Sequence, residues 1–141
     1  MLQYNFFPVL GLAVMLLASA TARADSGTVD VELNKLEAVE SGCRAYMVFD
    51  NTRAHGFEAY ALDLVIFDSD EVIAKRLAVR TQGLRAEKTT VKLFDIAGVD
   101  CGEVGRILLN RVRDCEPAGG ATVDCTAITT PSSRTDVAFV K

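Results

Sequence analysis

From Val29 onward, apolar and polar residues alternate with the two-residue period of a β-strand and not with the 3.6-residue period of a helix. The segment from Phe57 to Phe67 is apolar on both faces, as in a central strand. Further segments with a strand pattern are 29–33, 43–49, 72–79 and 89–96. Turn-forming residues separate them at 51–56, 68–70, 82–83 and 117–120. Short strands at this spacing predict an all-β, immunoglobulin-like antiparallel β-sandwich of about seven strands.

Two later segments carry mixed signals. In 100–112, Asp100 and Glu103 have the spacing of an N-cap and its capping-box partner, whereas Gly105 would weaken a helix interior. We therefore predict a short helical turn near Gly102 and then a strand over 106–115, which a sandwich needs to close its core. Residues 130–133, Thr-Pro-Ser-Ser, have the composition of a linker before the short apolar end at 137–140.

Residues 1–24 are organised like a secretion signal. An apolar run from Phe6 to Ala20 ends at the small-x-small sequence Ala22-Arg23-Ala24, which predicts cleavage before Asp25. The run is shorter than the roughly 20 apolar residues of a membrane span, so membrane contact is expected only transiently, through the signal. Because no Lys or Arg precedes the run, an uncleaved anchor is the alternative. The prediction is an exported protein, periplasmic or secreted, with a single domain at 25–141.

All four cysteines lie beyond this cleavage site, in a compartment where disulfides persist: Cys43, Cys101, Cys115 and Cys125. In a sandwich, the strand at 89–96 would lie antiparallel to the strand from Cys43, so its exit brings Cys101 beside Cys43. Cys115 and Cys125 flank the turn at 117–120 and can face each other across a hairpin. Of the three pairings that four cysteines allow, we predict Cys43–Cys101 and Cys115–Cys125. No pair has the Cys-x-x-Cys spacing of most zinc and redox sites.

The chain is mildly acidic, with 15 Lys+Arg, 19 Asp+Glu and a formal net charge of −4. The charges are interspersed without a basic stripe, which argues against nucleic acid as a partner. Basic residues nevertheless collect in the middle third, and four of them would line one solvent face of two adjacent strands: Arg76, Arg80, Lys88 and Lys92. We interpret this face as a candidate docking surface for an acidic partner or an anionic envelope component. The alternative is a solvated face whose lysines protect a sheet edge.

The sequence shows no pattern for catalysis, a cofactor or a metal. His55 is the only histidine and lies in a polar turn segment. The run Asp68-Ser69-Asp70-Glu71 begins like a calcium loop, but Ile73 and Val79 stand where an EF-hand needs Gly and Glu. We interpret this run as a turn whose carboxylates cap backbone N–H groups. The prediction is a protein with no catalytic residues, no cofactor and no bound metal.

Asp63 interrupts the apolar segment between Leu62 and Leu64. A carboxylate buried there would have a raised pKa, which is a marker of functional sites. The alternative is that Asp63 pairs with an arginine, for instance Arg44.

The segment from Val29 to Ile96 resembles the FxLYD-type immunoglobulin-like domains of bacterial envelope proteins. The resemblance lies in the turn at Asp50-Asn51-Thr52, the strand at 62–67 and the pair Phe67-Asp68, which fills the aromatic-Asp position before the next strand. It implies a sandwich without catalytic residues. The whole chain also resembles small secreted proteins of unknown function from alphaproteobacteria, a likeness that names no activity.

These patterns predict a non-enzymatic periplasmic or envelope protein that acts as an interaction or accessory module, with an envelope protein as the expected partner. A periplasmic carrier of a small molecule or metal is the alternative, motivated by the carboxylates near Asp68 and by His55. An enzyme is the third hypothesis and would have to use a carboxylate such as Asp63.

Overall fold

The computed structural model describes residues 25–141, so the signal predicted at 1–24 lies outside the described residues. The described part contains eight strands, a 3-10 turn at Cys101–Glu103 and a short helix, α1, at Cys125–Ile128. The strands are β1 Val29–Val39, β2 Gly42–Asn51, β3 Phe57–Phe67, β4 Ile73–Thr81, β5 Lys88–Ala97, β6 Arg106–Pro117, β7 Thr129–Ser133 and β8 Ala138–Val140. Within residues 25–141, no helix is long and apolar enough to cross a membrane.

The strands form two four-stranded sheets, in the orders β5-β2-β1-β7 and β4-β3-β6-β8. The neighbours β5-β2-β1 and β4-β3-β6 match strands E-B-A and C′-C-F of immunoglobulin domains. The prediction of a β-sandwich is therefore confirmed. Two pairings depart from the antiparallel pattern, because β7 runs parallel to β1 and β8 runs parallel to β6.

The period-two pattern places the core between the sheets. The inward residues of β2 and β3 are almost fully buried: Cys43, Ala45, Met47 and Phe49 from β2, and Tyr60, Leu62, Leu64 and Ile66 from β3. Burying an aliphatic or aromatic side chain of this size contributes about 1.5–3 kcal/mol relative to exposure. The inward residues that the alternation predicts thus form the core between the two sheets, which is the main stabilising contact of the fold.

Both predicted disulfides are confirmed. Cys43 lies opposite Ile96 in the β2–β5 register, so the chain leaving β5 returns beside it, and the Cα atoms of Cys43 and Cys101 are 4.7 Å apart. The second bond joins Cys115 of β6 to Cys125, with a Cα separation of 6.4 Å. Cys125 begins α1 and does not lie in a strand, so this bond ties a helix to a sheet and does not cross a hairpin.

The predicted turn and strand around Gly102 are also confirmed, and β6 continues past Cys115 to Pro117. At the start of the 3-10 turn, the Glu103 carboxylate accepts a hydrogen bond from the backbone N–H of Asp100 at 3.2 Å. The prediction of a linker at 130–133 was wrong, because these residues belong to β7. Pro131 is tolerated there since β7 is an edge strand, where a missing N–H breaks no ladder on the outer side.

The two flanks of the sandwich differ. On one, which we call the closed flank, β7 extends the first sheet, the chain crosses over, and β8 extends the second. On the other, the open flank, β5 and β4 are the unpaired edges of the two sheets. The chain passes from β4 to β5 through residues 82–87, so the turn between them joins opposite sheets.

The closed flank is held by buried hydrogen bonds. The Thr129 hydroxyl donates to the Cys125 carbonyl, which leaves the Tyr60 hydroxyl to donate to Thr129 Oγ1. Burial raises the pKa of Tyr60 to about 12. The Lys141 ammonium donates to the carbonyls of Thr126, Ala127 and Thr129, the last at 2.7 Å, and so joins the residue after β8 to α1 and to the start of β7.

Candidate functional site

The four predicted docking residues do not form one surface. Arg76 and Arg80 lie on β4 in the second sheet, whereas Lys88 and Lys92 lie on β5 in the first. The expectation that they share a face of two adjacent strands was wrong, because the connection between β4 and β5 crosses from one sheet to the other.

Arg76 is engaged by Asp63 on the outer face of the second sheet. Its Nε and Nη2 donate to the two carboxylate oxygens of Asp63 at 3.0 and 2.6 Å. Asn110 donates to the same carboxylate at 3.0 Å, and Arg111 Nε does so at 3.3 Å. The Asp63 side chain is 3% exposed, so the arginines cover it while their own side chains remain more than half exposed.

This environment lowers the pKa of Asp63, which contradicts the raised pKa that burial alone would give. Hydrogen bonds from Arg76 are the main cause, and burial opposes them; Asn110 and Arg111 lower the pKa further. The alternative that Asp63 pairs with an arginine is confirmed, but its partners are Arg76 and Arg111 and not Arg44. Arg44 instead pairs with Asp95 at 2.7 Å. Asp63 is thus ionised and hydrogen-bonded, an arrangement that suits a structural role.

Arg80, the other predicted residue on β4, pairs with Asp114 at 3.3 Å. Both side chains are largely exposed, so the pair contributes little to stability. The two arginines of the predicted set are therefore neutralised in part by carboxylates of β3 and β6 in the same sheet.

Lys88 and Lys92 line a cleft of about 430 Å³ on the open flank, which we call the edge cleft. In the β2–β5 register, Lys92 stands opposite Met47, whose side chain is in the core, so Lys92 lies on the inward side of β5. Inward side chains at this end of β5 still reach solvent, since Lys88 is exposed and Thr90 and Lys92 are half-buried. The remaining wall consists of Phe57, Glu58, Thr81, Gln82, Gly83, Leu84, Arg85, Thr90 and Val91.

The wall formed by the β4–β5 connection is pinned to β3. Leu84 is buried and exchanges two backbone hydrogen bonds with Phe57, at 2.7 and 2.9 Å. Gly83 makes this close approach feasible: its φ is +89°, and a Cβ there would lie 2.7 Å from the Phe57 carbonyl oxygen. The wall of the edge cleft is thus fixed by backbone contacts and does not depend on a ligand.

Asn51 fixes the second part of the same wall. Its side chain is fully buried, and its Nδ2 donates to the backbone carbonyls of Arg85 and His55 at 2.9 and 3.1 Å. Its Oδ1 accepts the backbone N–H of Arg53 at 3.2 Å. One amide side chain therefore joins the connection that carries Arg85 to the turn that carries His55. His55 itself is exposed in that turn.

The edge cleft collects cationic side chains that have no partner elsewhere in the described part. Fourteen of the 15 Lys and Arg residues of the chain lie in 25–141, all but Arg23. Within that range, eight form ion pairs, and Lys75 and Lys141 donate to backbone carbonyls. The four without an ion pair or a side-chain hydrogen bond are Arg85, Lys88, Lys92 and Arg113. Three of them line the edge cleft, with Glu58 as its one acidic residue.

Arg85 is the member of this group that sequence reasoning missed. It lies in the turn after Gly83, outside any strand pattern. The backbone hydrogen bonds of Leu84 and the hydrogen bond from Asn51 Nδ2 to the Arg85 carbonyl place it in the same cleft as Lys88. The spacing of Lys88 and Lys92 was the available signal, because residues four apart in a strand share a face. On the outer side of β5, Val91, which also borders the edge cleft, and Leu93 are 57% and 44% exposed.

The carboxylates around Asp68 form the turn that the sequence predicted. Asp68 Oδ1 accepts the backbone N–H groups of Asp70 and Val72, both at 2.9 Å. These bonds cap the turn between β3 and β4. Across residues 25–141, no three His, Cys, Asp or Glu side chains are grouped closely enough to hold a metal ion.

Two residues of the FxLYD resemblance thus have defined local roles. Asn51 bridges two turns, and Asp68 caps the turn after Phe67. Such roles follow from the hydrogen-bonding capacity of Asn and Asp in turns, and they do not identify a family. Comparisons with protein-family models, curated proteins and solved structures found no match, so the resemblance stays a prediction.

Proposed function

We propose that this protein is a non-enzymatic interaction module of the cell envelope that docks an acidic partner at the edge cleft. The observation that carries the proposal is the grouping of Arg85, Lys88 and Lys92 around one preformed cleft without an ion pair among residues 25–141. Cations that are grouped at one cleft without an ion pair attract anionic partners and speed their association.

The proposed location rests on the disulfides and on the sequence of residues 1–24. Two disulfides are consistent with an oxidising compartment outside the cytoplasm. The predicted signal adds the route, and the periplasm is the compartment we propose. Fractionation of cells that express the full chain would test the location, and recovery in the cytosol would contradict it.

Site-specific crosslinking in living cells tests the docking surface. A photoreactive residue in place of Val91, at the edge cleft, should capture a partner that the same residue in place of Ser132, on β7, does not. The charge-reversed variant Lys88→Glu/Lys92→Glu should lose this crosslink. The matched control Lys35→Glu/Arg113→Glu makes the same change in net charge elsewhere and should keep it. Equal capture in both variants, or equal capture at positions 91 and 132, would contradict the proposal.

A second candidate function is a carrier of a small anionic molecule in the same cleft. The cleft volume of about 430 Å³ favours it, because it falls in the range of roughly 300–1,000 Å³ typical of small-molecule pockets. Mass spectrometry of natively purified protein distinguishes the two functions. A stoichiometric bound anion that Lys88→Glu/Lys92→Glu removes would favour the carrier, and a ligand-free protein that still crosslinks at position 91 would favour the docking module.

A further inference from the structure

The free edge of β5 lies directly beside the cationic cleft. All ten residues of β5 pair with β2 on one side, and β5 is the outermost strand of its sheet. An edge strand leaves alternate backbone N–H and C=O groups unpaired on its outer side, which makes it a template for another strand. The cleft and this template therefore share one strand.

The two ends of this edge are not equally accessible. At the Ala97 end, the Lys75 ammonium of β4 donates to the Ala97 carbonyl, and Gly98 donates its N–H to the Ser41 carbonyl at 2.8 Å. At the other end, Lys88 and residues 90–92 border the edge cleft, and within 25–141 no strand except β2 pairs with residues 88–93. A segment that adds to β5 has room along 88–93.

The side chains of this stretch define what would fit. Lys88 and Lys92 lie on the inward side of β5, while Val91 and Leu93 lie on the outer side and are exposed. Directly opposite residues on neighbouring strands have Cβ atoms roughly 4.5–5.5 Å apart, a distance that carboxylates of an added strand can bridge to a lysine. A segment that alternates acidic with apolar β-branched residues would thus match both sides of β5 at once.

The lysines also select against a second copy of this chain. Two β5 edges paired with each other would bring Lys88 and Lys92 of both copies together, and like charges on facing strands are destabilising. An acidic segment would instead place carboxylates opposite these lysines, and opposite charges on facing strands are stabilising. The other edges are less suited: β7 carries Pro131, β8 has three residues, and on β4 Arg76 and Arg80 are held by carboxylates.

We propose that the partner presents an extended acidic segment that adds to the free edge of β5 as a further strand, with its carboxylates over Lys88 and Lys92. This inference rests on the proposed docking function and specifies its partner as a peptide segment bound through its backbone.

A short synthetic peptide that alternates glutamate with valine tests the inference on the disulfide-bonded protein. Fluorescence anisotropy should show that it binds at physiological salt and that Lys88→Glu/Lys92→Glu weakens it by about tenfold or more. Lys35→Glu/Arg113→Glu should leave the affinity unchanged. Two N-methylated versions, blocked either at every valine or at every glutamate, block one edge each of the peptide backbone. Binding should be lost for the version whose blocked edge faces β5.

The outcomes separate this inference from the docking function. If both N-methylated peptides bind like the parent, and polyglutamate of equal charge or anionic phosphatidylglycerol vesicles bind as well in a Lys88/Lys92-dependent way, then strand addition is wrong and an anion-docking cleft stands. If no anionic probe binds, or if binding ignores Lys88→Glu/Lys92→Glu, the proposed function fails together with the inference. Because the N-methylated peptides are tested on the unaltered protein, the result does not depend on how the variants fold.

Discussion

The two flanks of the sandwich begin from the same situation, since each sheet has an edge strand on each side, yet the chain treats them differently. On the closed flank, β7 and β8 cover β1 and β6, and Tyr60, Thr129 and Cys125 form buried hydrogen bonds. On the open flank, the outer edges of β4 and β5 stay unpaired, and cations without an ion pair line the edge cleft. Stabilising contacts and exposed binding potential are thus placed on opposite sides of one core.

The difference has a physical reason. The backbone N–H and C=O groups at a strand edge either pair with another strand of the same chain or stay unpaired. In the second case, charged side chains protect the edge against unwanted pairing. The closed flank uses the C-terminal segment for the first purpose, with Arg134 donating its backbone N–H to the Leu33 carbonyl at 2.9 Å as β7 ends. The open flank uses lysines for the second. Substitutions on the closed flank should therefore reduce stability, and substitutions of Lys88 and Lys92 at the edge cleft should change binding alone.

The largest effects should come from the disulfides. Cys43→Ser/Cys101→Ser should lower the free energy of unfolding by about 2–5 kcal/mol, the usual cost of losing a native disulfide in a small exported domain. Cys115→Ser/Cys125→Ser, on the closed flank, should cost about 1.5 kcal/mol less, because it closes a separation of 10 residues and not 58. Urea unfolding of both variants measures the difference. An equal or larger loss for the second variant would mean that the closed flank depends on its disulfide more than loop length predicts.

The next effect isolates the buried hydrogen bonds of the closed flank. Tyr60→Phe removes the hydroxyl that donates to Thr129 and should cost about 1–3 kcal/mol, because a buried acceptor loses its partner. Tyr46→Phe is the matched control, since its hydroxyl donates to Glu37 on the outer face of the first sheet, where water replaces it. Thermal unfolding should show a clearly larger loss for Tyr60→Phe. Similar losses for the two variants would show that the buried hydrogen bond of Tyr60 stabilises the protein no more than the outer-face hydrogen bond of Tyr46.

The sequence predicted the parts of the fold that depend on local pattern. Strands β1 to β5 follow from the two-residue period, β6 follows from the need of a sandwich to close its core, and the Cys43–Cys101 pairing follows from strand order. Prediction from the sequence failed where only long-range contacts determine the structure. Residues 130–133 read as a linker because Thr, Pro and Ser have no strand pattern, and β7 forms only because the edge of β1 is free beside it. Likewise, nothing near Gly83 signals that β4 and β5 belong to different sheets, so the predicted docking face divided into two sites.

Asp63 tests whether β4, on the open flank, has a stabilising contact of its own. Its pKa is lowered by Arg76, so its contribution is present above the ordinary value of 3.8 and is lost as the pH falls through the lower folded-state value. The free energy of unfolding should therefore fall less steeply below about pH 4 in Asp63→Asn than in the wild type. Asp95→Asn is the control. The Asp95 carboxylate also has a lowered pKa but is more exposed, so its removal should change the acid profile less than the removal of Asp63. Identical acid profiles for wild type and Asp63→Asn would show that the pair with Arg76 does not stabilise β4.

The smallest effect on stability should come from the edge cleft itself. Lys88→Glu/Lys92→Glu removes no ion pair and no hydrogen bond within residues 25–141, and Lys88 is exposed. The free energy of unfolding should therefore change by no more than about 0.5 kcal/mol, as for most surface substitutions. The same variant should abolish capture of the partner at position 91, while Tyr60→Phe, although less stable, should keep it at temperatures where it is folded. That crossed result, in which each flank affects one property and spares the other, is what the asymmetry predicts. A large loss of stability in Lys88→Glu/Lys92→Glu would mean that these lysines support the fold, and the open flank would then differ from the closed one in geometry alone.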